Sequence, residues 1–173
     1  MFKKISDISL SKYYWLGLLI LAVSLEVSAL FYQYVLGYLP CVLCIHVRIL
    51  VFAIMLVAAF AFAYLKKKYV VFISQLLMVL LSAALFERSY QLLGTERGFV
   101  FGDCNMESGL PVWFALDRWI PSVFKVWEAC GYTPELLFGI TMSEALIVLS
   151  AILLLLSSAM LLVLFFRRDY KKT

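Results

Sequence analysis

The chain has 173 residues, of which 65% are hydrophobic and only 15% are charged. A soluble domain usually has about 45–50% apolar and about 25% charged residues, so this composition excludes a water-soluble globule and a disordered chain. The formal charge of +4 does not indicate nucleic-acid binding, because the lysines and arginines lie beside apolar runs. We therefore predict an all-α integral membrane protein in which residues 1–173 form a single four-transmembrane-helix bundle.

Four apolar stretches have the length of roughly 20 residues that a bilayer crossing requires. They cover residues 14–34, 45–65, 69–86 and 144–166. The first stretch exceeds the apolar core of a cleavable signal peptide, and no small-residue cleavage site follows it, so we expect it to be retained as a signal anchor. Before the last stretch, Thr141 is followed three residues later by Glu144, which is typical of a capping box at a helix start.

The placement of the basic residues predicts the orientation, since short loops rich in Lys and Arg are retained in the cytoplasm. Most of them gather at one end of the predicted bundle: Lys3, Lys4, Lys12, Lys66, Lys67, Lys68, Arg167, Arg168, Lys171 and Lys172. We therefore predict that both termini are cytoplasmic and that the loops at residues 35–44 and 89–141 face outward. In a bacterium this orientation corresponds to an inner-membrane protein with periplasmic loops.

Part of the long loop has its own pattern. Residues 111–127 read PVWFALDRWIPSVFKVW, in which three tryptophans alternate with charged residues. This composition suits a segment lying in the headgroup layer of the membrane, where Pro121 would interrupt a longer helix. The alternative is a small folded cap with its own apolar centre.

All four cysteines, Cys41, Cys44, Cys104 and Cys130, fall in the two outward loops. An oxidising compartment favours disulfides, so the even number suggests two bridges, although four cysteines allow three pairings. One interpretation is a non-catalytic membrane adaptor with two inert structural disulfides. A four-cysteine zinc site usually needs two close pairs, and a transporter needs more polar groups at membrane depth. We predict no metal site.

The sequence Pro40-Cys41-Val42-Leu43-Cys44 points to redox chemistry instead. A pair of cysteines two residues apart at a helix start lies near unpaired backbone N–H groups and the positive end of the helix dipole, which favour a thiolate at Cys44. Arg48 follows one turn later on nearly the same face and would add a permanent positive charge. Its alternative role is to extend towards the lipid headgroups. His46 lies on another face of the helix and is a weaker candidate.

Glu26 is an ionisable residue at membrane depth in the first span. Such a residue is a functional-site hypothesis by default. We favour a structural role for it, either protonated or paired with an arginine of the bundle.

Cys104 and Cys130 form the more distant pair. A disulfide closing this loop would stabilise the fold by about 3 kcal/mol in the chain-entropy model. Glycines and polar residues flank both positions, however, and exposed disulfides are the more labile ones.

These motifs together resemble the disulfide bond formation protein B (DsbB) family of bacterial inner-membrane thiol oxidoreductases. The similarity covers nearly the whole chain. It is carried by Leu25-Glu26 in the first span, PCVLC followed by Arg48, the cysteine of FGDC, the stretch PVWFALDRWIPSVF, and the last outer cysteine.

The resemblance implies roles for the four cysteines. Cys104 and Cys130 would form the disulfide that a reduced, DsbA-like thioredoxin-fold oxidase attacks, with Cys104 in the mixed disulfide. Cys130 would then exchange with the Cys41–Cys44 bridge. Cys44 would pass two electrons to a membrane quinone, ubiquinone or menaquinone, held near Arg48.

The sequence departs from the family pattern at one position. Some relatives have a histidine near the outer end of the third span that is linked to the quinone, whereas Tyr90 and Gln91 occupy this region here. Gln91 can donate a hydrogen bond but cannot take up a proton at neutral pH. Gln91 and His46 are therefore the additional, weaker candidates for quinone contacts.

Overall fold

The computed structural model describes residues 11–100, 109, 116–128 and 139–170, with the side chains of 166–170 left out. Its helices are α1 (Lys12–Tyr34), α2 (Val42–Ala63), α3 (Lys68–Glu96), the short α4 (Leu116–Trp119) and α5 (Pro121–Phe124), and α6 (Met142–Tyr170). Four of these, α1, α2, α3 and α6, are long and apolar enough to cross a membrane. The predicted all-α, four-span fold class is confirmed.

The four long helices pack in chain order, α1 on α2, α2 on α3 and α3 on α6. We call the end at which α2 and α6 begin the cysteine end, and the opposite one, with the Lys66–Lys68 turn, the lysine end. Among the described residues, α1 and α6 do not pack extensively on each other. A gap therefore remains between them.

The contact between α3 and α6 is the most extensive in the bundle and follows a seven-residue repeat. Buried positions on α3 alternate at spacings of three and four, which is typical of left-handed coiled-coil packing. These positions are Gln75, Met78, Ser82, Leu85, Ser89 and Leu92 on α3, with Ser143, Ser150 and Ser157 at seven-residue intervals on α6. Small side chains let two helix backbones approach closely, so the serines explain the tightness of this contact.

The Gln75 side chain links three helices within the membrane-spanning part of the bundle. Its side chain is fully buried, and its Nε2 donates to the Ser157 carbonyl oxygen at 3.0 Å and to the Tyr14 hydroxyl at 3.3 Å. Inside a bilayer no water competes for these groups, so the amide joins α1, α3 and α6 by hydrogen bonds within the protein.

Helix α3 continues to Glu96, beyond the predicted end of the third span at residue 86. Ser89 and Leu92 in this extension are buried, whereas Glu87 and Tyr90 are exposed. The first part of the predicted outer loop is therefore an amphipathic extension of the helix, held by packing of its buried side.

The end of α3 is a tight reversal. Gly98 has φ of 75°, and the N–H groups of Phe99 and Gly98 donate to the carbonyls of Gly94 and Thr95 at 3.0 and 3.3 Å. This is the Schellman pattern, which satisfies the last carbonyls of a helix. A Cβ atom at Gly94 would lie 2.4 Å from the Val100 side chain, so the returning chain requires glycine there.

The predicted capping box at the start of α6 is confirmed. The Thr141 N–H donates to Glu144 Oε2 at 3.1 Å, and the Glu144 N–H donates to Thr141 Oγ1 at 3.4 Å. Glu144 also forms an ion pair with Arg97, and Ser143 donates to Glu96. The same residues thus cap α6 and join its start to the end of α3.

The α3–α6 packing leads to a first prediction. Ser150→Leu adds volume to a fully buried position and should cost about 1–3 kcal/mol through overpacking, lowering the thermal unfolding temperature in detergent by several degrees. Val148→Leu, on the exposed side of the same helix, is the control and should leave the temperature unchanged. Equal unfolding temperatures for the two variants would contradict the proposed tight contact.

Candidate functional site

The cysteine pair lies at the start of α2. Cys41 is the N-cap residue, with extended backbone angles, and its Sγ accepts a hydrogen bond from the Cys44 N–H at 3.3 Å. The two Sγ atoms are 2.7 Å apart. A disulfide bond is about 2.05 Å long, so a small shift of the side chains would join them. The hydrogen bond from the start of the helix thus goes to Cys41, whereas the sequence predicted that unpaired N–H groups would favour a thiolate at Cys44.

The two sulfurs differ in their surroundings. Cys41 is 3% exposed and belongs to an apolar cluster with Phe124 and Val126, and the neighbouring Pro40 carbonyl accepts from the Trp127 N–H at 3.1 Å. Cys44 is half-buried and lines a cavity. Of the two, Cys44 is the sulfur that a ligand in the cavity would meet.

This cavity has a volume of about 270 Å³ and lies between α1 and α6, with α2 forming its floor. Its lining is mainly aliphatic, and the charged residues in it are Glu26 and Arg48. Ligand sites are typically apolar clefts with few polar groups that fix the orientation. The cavity therefore suits a small, predominantly apolar molecule placed against Cys44.

Arg48 is buried rather than extended towards the headgroups, with only 6% of its surface exposed. Its Nη1 donates to Gln33 Oε1 at 2.7 Å and to the Val123 carbonyl oxygen at 2.6 Å. Its Nε has no hydrogen-bond partner among the described residues. A buried cation needs hydrogen-bond acceptors or a counter-charge, and two neutral oxygens supply part of this requirement.

Glu26 lines the same cavity, deeper along α1. Glu26 forms no ion pair with the Arg48 guanidinium within 4 Å in the described part of the chain. Glu26 Oε1 is buried and has no hydrogen-bond partner among these residues. The structure therefore shows no direct bridge to Arg48, and a structural role for Glu26, whether protonated or paired, stays a prediction.

His46 and Gln91, the two weaker candidates from the sequence, do not line the cavity. Gln91 is held on the surface of α3, where its Oε1 accepts from Arg88 at 2.9 Å and its Nε2 donates to Glu87 at 3.3 Å. Neither side chain therefore lies with Arg48 in this cavity, and a quinone contact for either of them stays a prediction.

Gln33 belongs to the site but was not predicted from the sequence. It lines the cavity, accepts from Arg48, and donates from Nε2 to the Ser122 carbonyl oxygen at 3.0 Å. One signal was available, because Gln33 follows Glu26 by seven residues and so lies on nearly the same side of α1, two turns further along. Polar residues at this spacing in an apolar span indicate a shared polar face.

Residues 116–128, which we call the outer segment, cover the cysteine end. The segment consists of α4 and α5, separated at Ile120 just before Pro121, as the proline predicted. Phe124 and Val126 are buried against the start of α2, whereas Trp119 and Trp127 are exposed. The segment is thus packed onto the bundle rather than forming a separate cap, and its exposed tryptophans suit the interfacial position predicted for it.

Cys104 and Cys130 lie outside the described residues, as do residues 111–115 of the tryptophan-rich stretch. The roles of both cysteines remain predictions.

The sequence is similar to known proteins of one family. A family model described as Disulfide bond formation protein DsbB matches residues 11–160. The chain is 32% identical over 139 residues to Disulfide bond formation protein B of Shewanella loihica, covering 80% of this chain and 81% of that protein. It is also 32% identical over 129 residues to Disulfide bond formation protein B 2 of Pseudomonas aeruginosa, covering 73% of each. For Disulfide bond formation protein B of Actinobacillus pleuropneumoniae, the identity is 28% over 156 residues.

The difference between the two sulfurs leads to a second prediction. After reduction, a membrane-permeant apolar maleimide should label Cys44 several-fold faster than Cys41, since Cys44 lines the cavity and Cys41 is buried. Rates are measured by mass spectrometry on variants that retain only one of these cysteines. Unfolding in detergent should make the two rates equal. Faster labelling of Cys41 in the folded protein would be incompatible with this geometry.

Proposed function

The chain belongs to the disulfide bond formation protein B (DsbB) family, and from this premise we propose that it oxidises a DsbA-like thioredoxin-fold dithiol protein and passes the two electrons to a membrane quinone. Membership of the family assigns it a redox role in disulfide bond formation. The dithiol partner, the quinone and the identity of the catalytic cysteines are the parts that we propose.

One observation carries the proposal, namely that Cys44 and Arg48 meet at an apolar cavity between two membrane-spanning helices. A quinone is dissolved in the hydrocarbon of the bilayer. Since α1 and α6 are not closely packed on each other, such a molecule could reach Cys44 from the side without passing through water. A cavity for a water-soluble reductant would need no such lateral opening.

The residues present fit a quinone ring. Most of the lining is aliphatic, as an apolar ring requires, and the buried Arg48 Nε lacks a hydrogen-bond partner among the described residues. A quinone carbonyl is a hydrogen-bond acceptor that this N–H could satisfy. Arg48 would thus hold the polar edge of the ring, while Leu25, Val47 and Leu146 enclose its apolar surface.

The proposed thiol chemistry proceeds by disulfide exchange, in which each step breaks one S–S bond and forms another. A partner thiolate attacks the Cys104–Cys130 bond and forms a mixed disulfide with Cys104, and the partner's second thiol then displaces Cys104. Cys130 attacks Cys41 in the Cys41–Cys44 bond, which forms a Cys41–Cys130 bond and releases Cys44 as the thiolate. Cys104 then attacks Cys130, which re-forms the Cys104–Cys130 disulfide and releases Cys41 as the thiolate. Renewed closure of the Cys41–Cys44 bond releases two electrons and two protons, which a bound quinone accepts.

The surroundings of Cys44 support its role as the leaving group. It lies in the first turn of α2, where the helix dipole is positive, and the Arg48 charge follows one turn later. Both effects stabilise negative charge on sulfur, and a stabilised thiolate leaves more readily in exchange. Arg48 therefore serves both the sulfur and the acceptor beside it.

We also propose an orientation. The turn with Lys66, Lys67 and Lys68 lies at the lysine end, away from the cysteine pair. Because lysine-rich short loops are retained in the cytoplasm, the cysteine end would face the periplasm of a bacterial inner membrane.

The third prediction tests electron transfer directly. The purified protein, mixed with short-chain ubiquinone and a reduced thioredoxin-fold dithiol protein, should lower the quinone absorbance with repeated turnover. Dithiothreitol should still drive this reaction in Cys104→Ser but not in Cys44→Ser, since a small dithiol can reach the Cys41–Cys44 bond directly. A constant absorbance with the unsubstituted protein would favour the non-catalytic adaptor instead.

The fourth prediction concerns Arg48. Arg48→Gln removes a buried, charged hydrogen-bond donor, which is worth about 1.5–3 kcal/mol, so the apparent KM for quinone should rise roughly tenfold or more. Arg118→Gln, which neutralises an exposed arginine, is the control and should leave KM unchanged. An unaltered KM accompanied by a lower unfolding temperature would assign Arg48 a structural role only.

A further inference from the structure

We propose that Gln33 is a positioning residue that links the outer segment to the Arg48 guanidinium, so that docking of this segment determines where the positive charge lies relative to Cys44. The inference rests on the proposed function, in which the outer segment leads to the exchanging Cys130. It assigns a role to an uncharged side chain that bonds to Arg48 and to the Ser122 carbonyl oxygen.

Three parts of the chain meet at the Gln33 amide. Its Oε1 accepts from Arg48 Nη1 at 2.7 Å, and its Nε2 donates to the Ser122 carbonyl oxygen at 3.0 Å. Arg48 Nη1 also donates to the adjacent Val123 carbonyl oxygen at 2.6 Å. These bonds form a closed ring through α1, α2 and α5, and an amide can complete it because it carries both an acceptor and a donor.

The two main-chain carbonyl groups in this ring need hydrogen-bond donors from outside α5. Ser122 and Val123 lie in α5, a helix of four residues whose last carbonyls have no partner within it. Gln33, Tyr34 and Arg48 supply the donors. The geometry of this short helix is therefore fixed by the same side chains that surround the cation.

The ring connects the outer segment, which leads in sequence to Cys130, with the charge beside Cys44. Because Cys130 follows Trp127 by only three positions, exchange at Cys130 in the proposed function would act on the outer segment. Loss of the Val123 and Ser122 contacts would leave Arg48 Nη1 with fewer acceptors, so the guanidinium would no longer be held in its position relative to Cys44. Coupling of this kind is reciprocal, so a ligand that engages Arg48 should also weaken docking of the segment.

The experiment uses the full-length protein in detergent with three variants. Gln33→Leu removes both hydrogen bonds of the side chain. Gln33→Glu keeps an acceptor for Arg48 but, as a carboxylate, cannot donate to Ser122. Thr95→Val is the control, because among the described residues Thr95 Oγ1 donates only to carbonyls of its own helix, at the same end of the bundle.

Two measurements need no quinone. The first is the rate of tryptic cleavage after Lys125, an exposed residue of the outer segment. The second is the rate of Cys44 alkylation in reduced protein at neutral pH, in a background without Cys41. In Gln33→Leu, cleavage should accelerate roughly tenfold, as the loss of about 1.4 kcal/mol of docking energy implies, and alkylation should slow several-fold because Arg48 is no longer held. In Gln33→Glu, cleavage should accelerate because the donor to Ser122 is lost, whereas Arg48 keeps its acceptor. Thr95→Val should match the unsubstituted protein in both rates.

The outcomes separate this inference from the proposed function. Faster cleavage with unchanged alkylation in Gln33→Leu would show that Gln33 only anchors the segment, and equal acceleration in Thr95→Val would show general loosening; either result overturns the inference. Unchanged rates in Gln33→Leu overturn it as well. Failure of the unsubstituted protein to reduce quinone refutes the proposed function, and leaves the two rates to decide whether Gln33 links the segment to Arg48.

Discussion

A positive charge removed from water is the constraint on which the cysteine end depends. Arg48 is buried, and its acceptors come from α1 through Gln33 and from the outer segment through Val123. Neither acceptor carries a charge, and no ion pair joins Arg48 to Glu26 in the part of the chain that the structure describes. Burying a cation in this way costs free energy, and apolar packing of the same volume is often no less stable. Stability alone therefore does not explain Arg48, and a function does. The polar groups around the cavity therefore serve to keep one guanidinium beside one sulfur.

The bundle provides this site through unequal packing of its helices. The serines at seven-residue intervals on α6 bring it close to α3, and the capping network joins the same two helices at the cysteine end. Helix α1 is held mainly by α2, by the Gln75 hydrogen bond to Tyr14 and by the outer segment. The cavity forms where packing is weakest, between α1 and α6.

Much of this arrangement could be predicted from sequence because it depends on local patterns. Span lengths, the capping box at Thr141 and the spacing of Cys44 and Arg48 all follow from residue type and helical periodicity. The partners of Gln33 could not be predicted, since a main-chain carbonyl 89 positions away leaves no mark in the sequence. The hydrogen bonds of Gln91 to its helix neighbours Glu87 and Arg88 likewise could not be inferred from its residue type alone. The polar extension of α3 was mistaken for loop since its buried face is visible only once α6 is in place.

The weak attachment of α1 has a mechanical consequence. A ligand larger than the 270 Å³ cavity can enter at the lowest free-energy cost if α1 tilts outward. Movement of α6 would cost more, because it would break both the serine-lined contact and the capping network. Such a tilt would first stretch the hydrogen bond between Gln33 and Arg48, because Gln33 lies near the end of α1 at the cysteine end. In this movement α3 and α6 stay fixed while α1 tilts, and the lateral pressure of the bilayer on α1 opposes the opening.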